Sequence, residues 1–350
     1  DTGMHHDTIR VGIVGAGGNT KAKHIPGLQA LENVTVTAVC NRSRASSETA
    51  AETFGIAQVF DDWRRLVESP DIDAVVIGTW PYMHHPVTLA GLEAGKHVLC
   101  EARMAMNARE AHEMLRASRV RPHLVVQVVP SPFSLKVDRT IQRLLAEGYI
   151  GDVLAIDVRD NGGFLDRDGP LTWRLDAQLS GLNAMMLGIW YEAVVRWVGE
   201  ATRVAAMGRT FVKTRPASGG GPAKAVLIPE HLDVIADMAC GAQAHFRSSR
   251  VAGHAGPSGC RLYGSEGTLA FTEGRLWGGR RDDAGLEEIP IPADEERHWR
   301  VEEEFINAIR GIEPVRLTTF EDGVRYMEFT EAVFRSRQTG QAIALPLADP

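Results

Sequence analysis

The chain has 350 residues, of which 44% are hydrophobic and 24% charged, a composition typical of a globular protein of about two domains. Its 38 basic and 45 acidic residues give a net charge of −7, and no basic run is present, so we do not expect a nucleic-acid partner. The sequence also lacks an apolar stretch of roughly 18 residues and any CxxC pair among its four cysteines. We therefore expect a soluble, cytoplasmic protein with no membrane partner.

Short apolar strands alternate with helices over the first 130 or so residues. The stretch Ile9–Thr20 begins as a buried strand, breaks at Gly15-Ala16-Gly17-Gly18 and continues as a helix to Leu31. The other predicted strands are Val34–Cys40, Gln58–Phe60, Ala74–Gly78, Lys96–Cys100 and Leu124–Val128, and the helices are Ser43–Phe54, Asp61–Val67, Pro86–Ala94 and Asn107–Arg119. This alternation predicts a doubly wound parallel sheet of six strands, a Rossmann domain over residues 7–129.

The pattern changes at about residue 130 to longer strands with fewer helices between them. The predicted strands are Val153–Arg159, Arg203–Val212, Leu232–Phe246, Cys260–Tyr263, Thr268–Phe271 and Leu286–Ile291, and the helices are Ser134–Glu147, Leu182–Val198, Trp299–Ile309 and Glu321–Ser336. We therefore predict a second α/β domain over residues 130–350, with a large, mostly antiparallel open sheet.

The glycine-rich turn after the first strand is a candidate dinucleotide site. Gly15 permits a tight turn, Gly17 lets the backbone approach a pyrophosphate, and the Thr20 hydroxyl can donate to a phosphate oxygen. Gly18 and Asn19 complete the turn into the helix, whose first N–H groups attract anions. The alternative is a glycine-rich turn without a ligand.

The residues after the second strand bear on cofactor choice. An acidic residue there binds the ribose hydroxyls of NAD, but this chain has Asn41, Arg42, Ser43 and Arg44. Either arginine can pair with a 2′-phosphate, so we favour NADP, with NAD still possible. The alternative is a solvated basic loop.

Six segments, taken in order, resemble the Gfo/Idh/MocA oxidoreductases over nearly the whole chain. They read VGIVGAGGNTKAKHIPGL, AVCNRS, DIDAVVIGTWPYMHHPVTLAGLEAGKHVLCE, LTWRLDAQLSG, YGSEGTL and GQAIALP. The resemblance implies a nicotinamide cofactor, a sugar- or cyclitol-like substrate, and dimers or tetramers formed through the C-terminal sheet. It also implies that five further residues lie near the cofactor: Thr79, Trp80, Glu101, Trp173 and Arg174.

The chain departs from the pattern of this family at the proton-handling positions. Where the family usually has a catalytic lysine after a glutamate, this chain has Ala102. Where it usually has an aspartate and a histidine four residues apart on a helix, this chain has Met186 and Trp190. The asparagine of the usual Thr-Pro-Asn segment is displaced as well, since Trp80 follows Thr79.

Other residues are therefore candidates for the acid/base set. Arg103 is a poor proton donor but a good holder of an oxyanion, and it is a candidate for substrate binding as well. His84 and Tyr191 are candidate proton donors, although His84 can instead be structural. Asn183, Met186 and Trp190 share a helix face by spacing and are candidate substrate contacts, the alternative being core packing.

We predict an NAD(P)-dependent oxidoreductase of a sugar, cyclitol or related polyhydroxy compound, with an atypical acid/base set. Two alternatives stay open: an enzyme that holds the nucleotide but performs non-redox or internally cycled chemistry such as elimination or hydrolysis, and a non-catalytic NAD(P)-sensing protein. The histidine spacing does not suggest a metal site, and none is predicted.

Overall fold

The computed structural model describes residues 8–350, which form two compact units. The first unit runs to Pro130 and also contains Arg300–Val324, and the second contains Ser131–Trp299 and Arg325–Pro350. The predicted domains, 7–129 and 130–350, place Arg300–Val324 in the second domain, so the observed division differs from the prediction in this segment. A segment can join a sequence-distant unit when its apolar face packs there, which strand and helix periodicity does not reveal.

The described residues form the following strands and helices. The strands are β1 Ile9–Val14, β2 Val34–Cys40, β3 Gln58–Val59, β4 Ala74–Ile77, β5 His97–Cys100, β6 Val126–Val128, β7 Val153–Asn161, β8 Ala201–Arg209, β9 Thr214–Arg215, β10 Lys224–Ala225, β11 His231–Met238, β12 Gln243–Ser249, β13 Gly259–Gly264, β14 Gly267–Thr272, β15 Arg275–Arg280, β16 Glu287–Ile289 and β17 Ile343–Ala344. The helices are α1 Ile25–Gln29, α2 Arg44–Phe54, α3 Trp63–Val67, α4 His84–Glu93, α5 Ala108–Arg119, α6 Asp138–Ala146, α7 Ala177–Ser180, α8 Leu187–Val198, α9 Val301–Ile309 and α10 Phe320–Thr339, with a π-helical turn Thr20–His24 before α1 and a 3₁₀ turn Pro81–Met83 before α4.

The first unit is built on a six-stranded sheet in the order β3-β2-β1-β4-β5-β6, and its strand pairs are parallel. All four residues of β4 are buried, as expected for a central strand covered on both faces. From β1 the chain first adds strands on one side, β2 and β3, and then on the other, β4 to β6, so the topology switches between β1 and β4. Ligands of open α/β sheets bind at such a point, beyond the carboxyl ends of the strands. The predicted Rossmann sheet is confirmed.

The second unit contains a nine-stranded sheet in the order β16-β15-β14-β13-β7-β12-β11-β8-β17. Its pairs are antiparallel except for β7 with β12, which matches the predicted large, mostly antiparallel sheet. The predicted single strand Leu232–Phe246 is wrong, because the chain reverses near Gly241 and pairs β11 with β12. β15 was not predicted, since two of its six residues are glycine.

Two further properties concern the chain as a whole. Within residues 8–350, the helices are too short or too polar to cross a lipid bilayer. Cys40, Cys100 and Cys260 are buried free thiols, while the thiol of Cys240 is free and exposed.

Candidate dinucleotide site

The glycine turn is fixed by its close approach to the end of β4. Gly15 has a φ of +85°, and a Cβ there would lie 2.6 Å from the Thr79 side chain. A Cβ on Gly17 would lie 2.8 Å from the Gly78 carbonyl oxygen, and one on Gly78 would overlap Thr20 Oγ1. Backbone therefore packs on backbone here, which only glycine allows. By contrast, a Cβ on Gly18 would meet no atom within 4 Å.

A pocket of about 190 Å³ lies beside this turn. Its lining residues are Gly15, Ala16, Gly17, Asn41, Arg42, Ser46, Gly78, Thr79, Trp80 and Tyr82. Asn41 joins its two sides, because Oδ1 accepts from the Ala16 N–H at 2.7 Å while Nδ2 donates to the Ser46 carbonyl at 3.0 Å. None of these lining residues is acidic.

The two arginines after β2 lie in different surroundings. The Arg42 guanidinium lies over the Trp80 ring, 5.1 Å from its centroid, at the edge of the pocket. Arg44 instead forms ion pairs with Glu48 at 2.8 Å and Asp61 at 2.9 Å. Ser43 is the N-cap of α2, where its hydroxyl accepts from the Ser46 N–H. Two carboxylates thus compete with a 2′-phosphate for Arg44, whereas Arg42 lies at the pocket, and the contact of either arginine with a 2′-phosphate stays a prediction.

Thr20 and Asn19 occupy different sides of the helix start. The Thr20 side chain is buried against Gly78, and its contact with a phosphate stays a prediction. Asn19 is exposed, and its amide donates to Glu101 Oε1 at 2.5 Å. The glycine turn is thereby linked to the carboxyl end of β5.

His24, which no sequence pattern singled out, is fully buried in the π-helical turn. Its Nε2 lies 2.9 Å from Glu101 Oε1 and its Nδ1 lies 2.5 Å from Glu302 Oε1. Burial opposes the charged imidazole, but the hydrogen bonds to Glu101 and Glu302 outweigh it, and the pKa of His24 rises to about 9. Burial alone would raise the pKa of Glu101, yet the bond to His24 holds it below its usual range. The signal available in the sequence was a histidine followed by Ile25-Pro26 near a glycine turn, but nothing pointed to Glu302.

His84 is a structural residue within the first unit. The side chain is fully buried, with Nδ1 2.8 Å from the Arg103 carbonyl oxygen and Nε2 3.0 Å from the Thr79 carbonyl oxygen. Burial lowers its pKa, and the neutral ring donates from one nitrogen. A catalytic role for His84 is thus corrected in favour of the structural alternative, because its polar atoms face backbone carbonyls. Arg103, whose carbonyl oxygen His84 contacts, is buried as well, with 5% of its surface exposed.

Tyr191 lies in the core of the second unit. It stacks on Phe329 with ring centroids 3.7 Å apart, and its hydroxyl accepts from the Ala201 N–H at 2.9 Å. Burial raises the pKa of Tyr191 well above its usual value. The expectation of a proton donor at this position is corrected, since the hydroxyl is buried and bonds to backbone.

The predicted helix face through Asn183, Met186 and Trp190 does not exist. α8 begins only at Leu187, after Met185 adopts a φ of +47°, whereas a helix from Leu182 was predicted. The Asn183 amide donates to the Ser180 carbonyl at 2.8 Å, and Met186 is half-buried. Trp190 packs between Phe133 and Phe271. Asn183 is thus held by a turn and Trp190 by the core, so these two residues are corrected as substrate contacts.

Trp173 and Arg174 belong to the second unit, where the Arg174 guanidinium lies 4.2 Å from the centroid of the Trp173 ring. They precede α7, whose N-cap Asp176 accepts from the Gln178 N–H. Their assignment to the cofactor stays a prediction. Across residues 8–350, no group of three or more His, Cys, Asp or Glu side chains is arranged to hold a metal ion.

Two segments of the chain match known family models. Residues 9–128 match the family described as "Oxidoreductase family, NAD-binding Rossmann fold", and residues 139–270 match the GFO/IDH/MocA C-terminal domain. The first match contains the glycine turn and Glu101.

Individual relatives are similar at about 30% identity. A levoglucosan dehydrogenase of Pseudarthrobacter phenanthrenivorans is 30% identical over 190 residues, covering 51% of this chain and 47% of that protein. An uncharacterized oxidoreductase of Rhizobium meliloti is 28% identical over 198 residues, covering 55% of this chain and 56% of that protein. The chain thus spans about half the length of these two curated relatives.

Solved structures share the fold over nearly the whole chain. An oxidoreductase domain protein from Kribbella flavida superposes with a TM-score of 0.85 at 22% identity, covering 97% of this chain and 100% of that chain. Levoglucosan dehydrogenase in complex with NADH and L-sorbose superposes with a TM-score of 0.84 at 23% identity, covering 97% and 99%. At these identities the likeness establishes the fold alone.

Proposed function

This chain belongs to the Gfo/Idh/MocA oxidoreductase family, and we propose that it transfers a hydride between a nicotinamide dinucleotide and a sugar, cyclitol or related polyhydroxy compound. The observation that carries this proposal is the pocket at the glycine turn, where Gly15, Gly17 and Gly78 bring two backbones together beside Asn41 and Arg42. This is the place in a doubly wound sheet at which dinucleotides bind.

Relatives of known activity support this substrate class. They include the levoglucosan dehydrogenase, an inositol 2-dehydrogenase of Klebsiella pneumoniae and a 1,5-anhydro-D-fructose reductase of Ensifer adhaerens. Their names refer to a sugar anhydride, a cyclitol and an anhydro sugar. A carbon bearing a hydroxyl or carbonyl group, flanked by further hydroxyls, is the chemistry these share.

NADP is the proposed cofactor. Arg42 at the pocket edge supplies a cation for a 2′-phosphate, and Asn41 and Ser46 add uncharged polar groups. With Arg44 paired to Glu48 and Asp61, Arg42 alone carries this part of the proposal.

Arg103 is the proposed holder of negative charge on the substrate oxygen. It directly follows Ala102, the residue at the position of the family's usual lysine. A guanidinium stays charged at ordinary pH, so it stabilises an oxyanion without donating a proton. In the reducing direction the oxygen takes its proton from water or from a group of the substrate, and in the oxidising direction the hydroxyl loses its proton to one of these.

The proposed assembly is a homodimer or homotetramer formed through the nine-stranded sheet. Exposed apolar side chains lie on its strands, including Met207, Ile235 and Tyr263. Light scattering of the purified protein tests this, since substitution of Met207 and Ile235 by lysine is expected to give monomers.

The test of function is a binding and turnover series. Nicotinamide fluorescence measures the affinity for NADPH and NADH, and absorbance follows turnover with a panel of sugars, inositols and anhydro sugars. We expect tighter binding of NADPH, turnover with one class, and a loss of at least about tenfold in kcat in Arg103→Ala. Absence of dinucleotide binding overturns the proposal.

A second candidate function rests on the burial of Tyr191 and His84, which removes two predicted proton donors. It is non-redox or internally cycled chemistry on a bound nucleotide. Substrate conversion without net change in nicotinamide absorbance supports this candidate over the first.

A further inference from the structure

A buried histidine in the first unit links three elements that are distant in sequence. His24 contacts Glu101, which follows β5, and Glu302 in α9, with N···O distances of 2.9 Å and 2.5 Å. Glu302 also packs on Gly27, where a Cβ would lie 3.0 Å from its carboxylate. The side chains of His24 and Glu302 are at most 5% exposed, and that of Glu101 is 14% exposed.

The bonds around Glu101 fix its carboxylate in one orientation. Oε1 accepts from Asn19 Nδ2 and His24, while Oε2 accepts from the Ala102 N–H at 3.1 Å. Two oxygens offer about four lone pairs, so Oε2 keeps one for a further donor. Glu101 is also the member of this group that reaches solvent, next to the helix that begins at the glycine turn.

We propose that His24 is a positioning residue, whose imidazolium holds the ionised Glu101 carboxylate ready to accept a hydrogen bond from a bound dinucleotide. The donor would be a hydroxyl of the nicotinamide ribose or the carboxamide NH₂, because ligands of open α/β sheets bind beyond the carboxyl ends of the strands, where Glu101 follows β5. This inference rests on the proposed function.

The charge of the cluster gives the inference a second basis. With His24 protonated, the group of His24, Glu101 and Glu302 has a net charge of −1, and with His24 neutral it has −2. His84 adds a weak electrostatic effect on Glu101, and Lys21 and Lys23, on the same helix as His24, are exposed. Because a dinucleotide is an anion, the extra negative charge weakens its binding above the pKa of His24, near 9.

Two substitutions separate the position of the carboxylate from its charge. His24→Gln keeps a donor where Nε2 faces Glu101, whereas His24→Asn keeps one where Nδ1 faces Glu302. Both remove the positive charge. His85→Gln is the matched control, because His85 also pairs with a carboxylate, Glu113 at 2.7 Å, in the same unit. Circular dichroism and thermal melting check that each variant is folded.

The measurement is the Kd for NADPH from pH 6.5 to pH 10, by nicotinamide fluorescence. For the wild type we expect a constant Kd to pH 8 and a rise of roughly fivefold by pH 10. His24→Gln is expected to lose this rise and bind about fivefold more weakly at pH 7, and His24→Asn to bind more weakly still. His85→Gln is expected to match the wild type.

Each other result overturns the inference in a recognisable way. Equal affinities of the Gln and Asn variants at pH 7 exclude positioning and leave charge alone. A folded His24→Asn that binds NADPH as the wild type does excludes any role in binding. If the wild type and His85→Gln bind no dinucleotide, the proposed function fails and the inference fails with it. If the wild type binds NADPH but its Kd does not rise between pH 8 and pH 10, only the inference fails.

Discussion

The glycine turn after β1 and the start of α8 both lead from irregular chain into a helix, but they use their side chains differently. At the glycine turn, backbone packs on backbone, so Asn41 and Arg42 are left to line a pocket. At α8, the side chains of Trp190 and Tyr191 themselves form the core contacts, with the rings of Phe133 and Phe329. A polar group is available to a ligand where another part of the structure, here glycine backbone, does the packing.

The largest effect that tests this comparison is expected for Gly78→Ala. A Cβ there would overlap Thr20 Oγ1 and the Gly15 carbonyl oxygen, so the turn must move. We expect the free energy of unfolding to fall by about 3 kcal/mol and NADPH affinity to fall by about a hundredfold, since a displacement of about 1 Å is enough for such a loss. Chemical denaturation and fluorescence titration measure the two effects.

Gly285→Ala is the control for this substitution, because a Cβ on that exposed glycine meets no atom within 4 Å. Its stability and its affinity for NADPH should equal those of the wild type. Wild-type affinity in Gly78→Ala would contradict the account of the turn.

The next effect concerns pH and the free energy of unfolding. The pKa of His24 is about 9 in the folded protein against 6.5 for an unperturbed histidine. Because this pKa is higher in the folded protein, protonated His24 stabilises the fold. The stabilisation is complete below pH 6.5 and is lost as the pH rises through 9. We expect a loss of about 3 kcal/mol over this window, seen as a fall in urea midpoint.

The substitution His24→Gln removes the titrating group and should flatten this part of the stability profile. The same slope in wild type and His24→Gln would show that other groups cause it.

A smaller effect is expected for Arg42→Ala at the pocket edge. Loss of a charge-assisted contact with a 2′-phosphate should raise the Kd for NADPH about tenfold and leave that for NADH within about twofold. Arg44→Ala is the matched control, because Glu48 and Asp61 already hold that side chain. If Arg44→Ala has the larger effect on NADPH, the assignment to Arg42 is wrong.

The smallest effect is expected for Tyr191→Phe in the contrasting region. The substitution removes the hydrogen bond from the Ala201 N–H and keeps the stacking on Phe329, so stability should fall by about 1 kcal/mol. Turnover should be unchanged, as measured at substrate saturation. A tenfold loss of kcat with an unchanged melting temperature would restore Tyr191 as a proton donor.

Sequence reasoning worked where short-range patterns decide the structure. The six parallel strands followed from apolar runs at regular spacing. The helix predicted from Asn107 also begins there, with Asn107 as its N-cap and Oδ1 accepting from the Glu110 N–H at 2.9 Å. It failed at α8, where an apolar run extends from Leu182 but the backbone is not helical until Leu187. Periodicity assigns faces only inside a regular helix, so a shifted helix start removes the predicted face.

By itself, the sequence determined the strand-turn-helix unit at Gly15, the membership of the chain in an oxidoreductase family and the polar character of the segment after β2. These depend on local backbone freedom and on residue order, which the sequence states directly. Only the tertiary structure decided that His24 meets Glu302, 278 residues away, and that Tyr191 is enclosed. Burial and ion pairing depend on which distant segments pack together, and the same histidine or tyrosine in a sequence is compatible with either outcome.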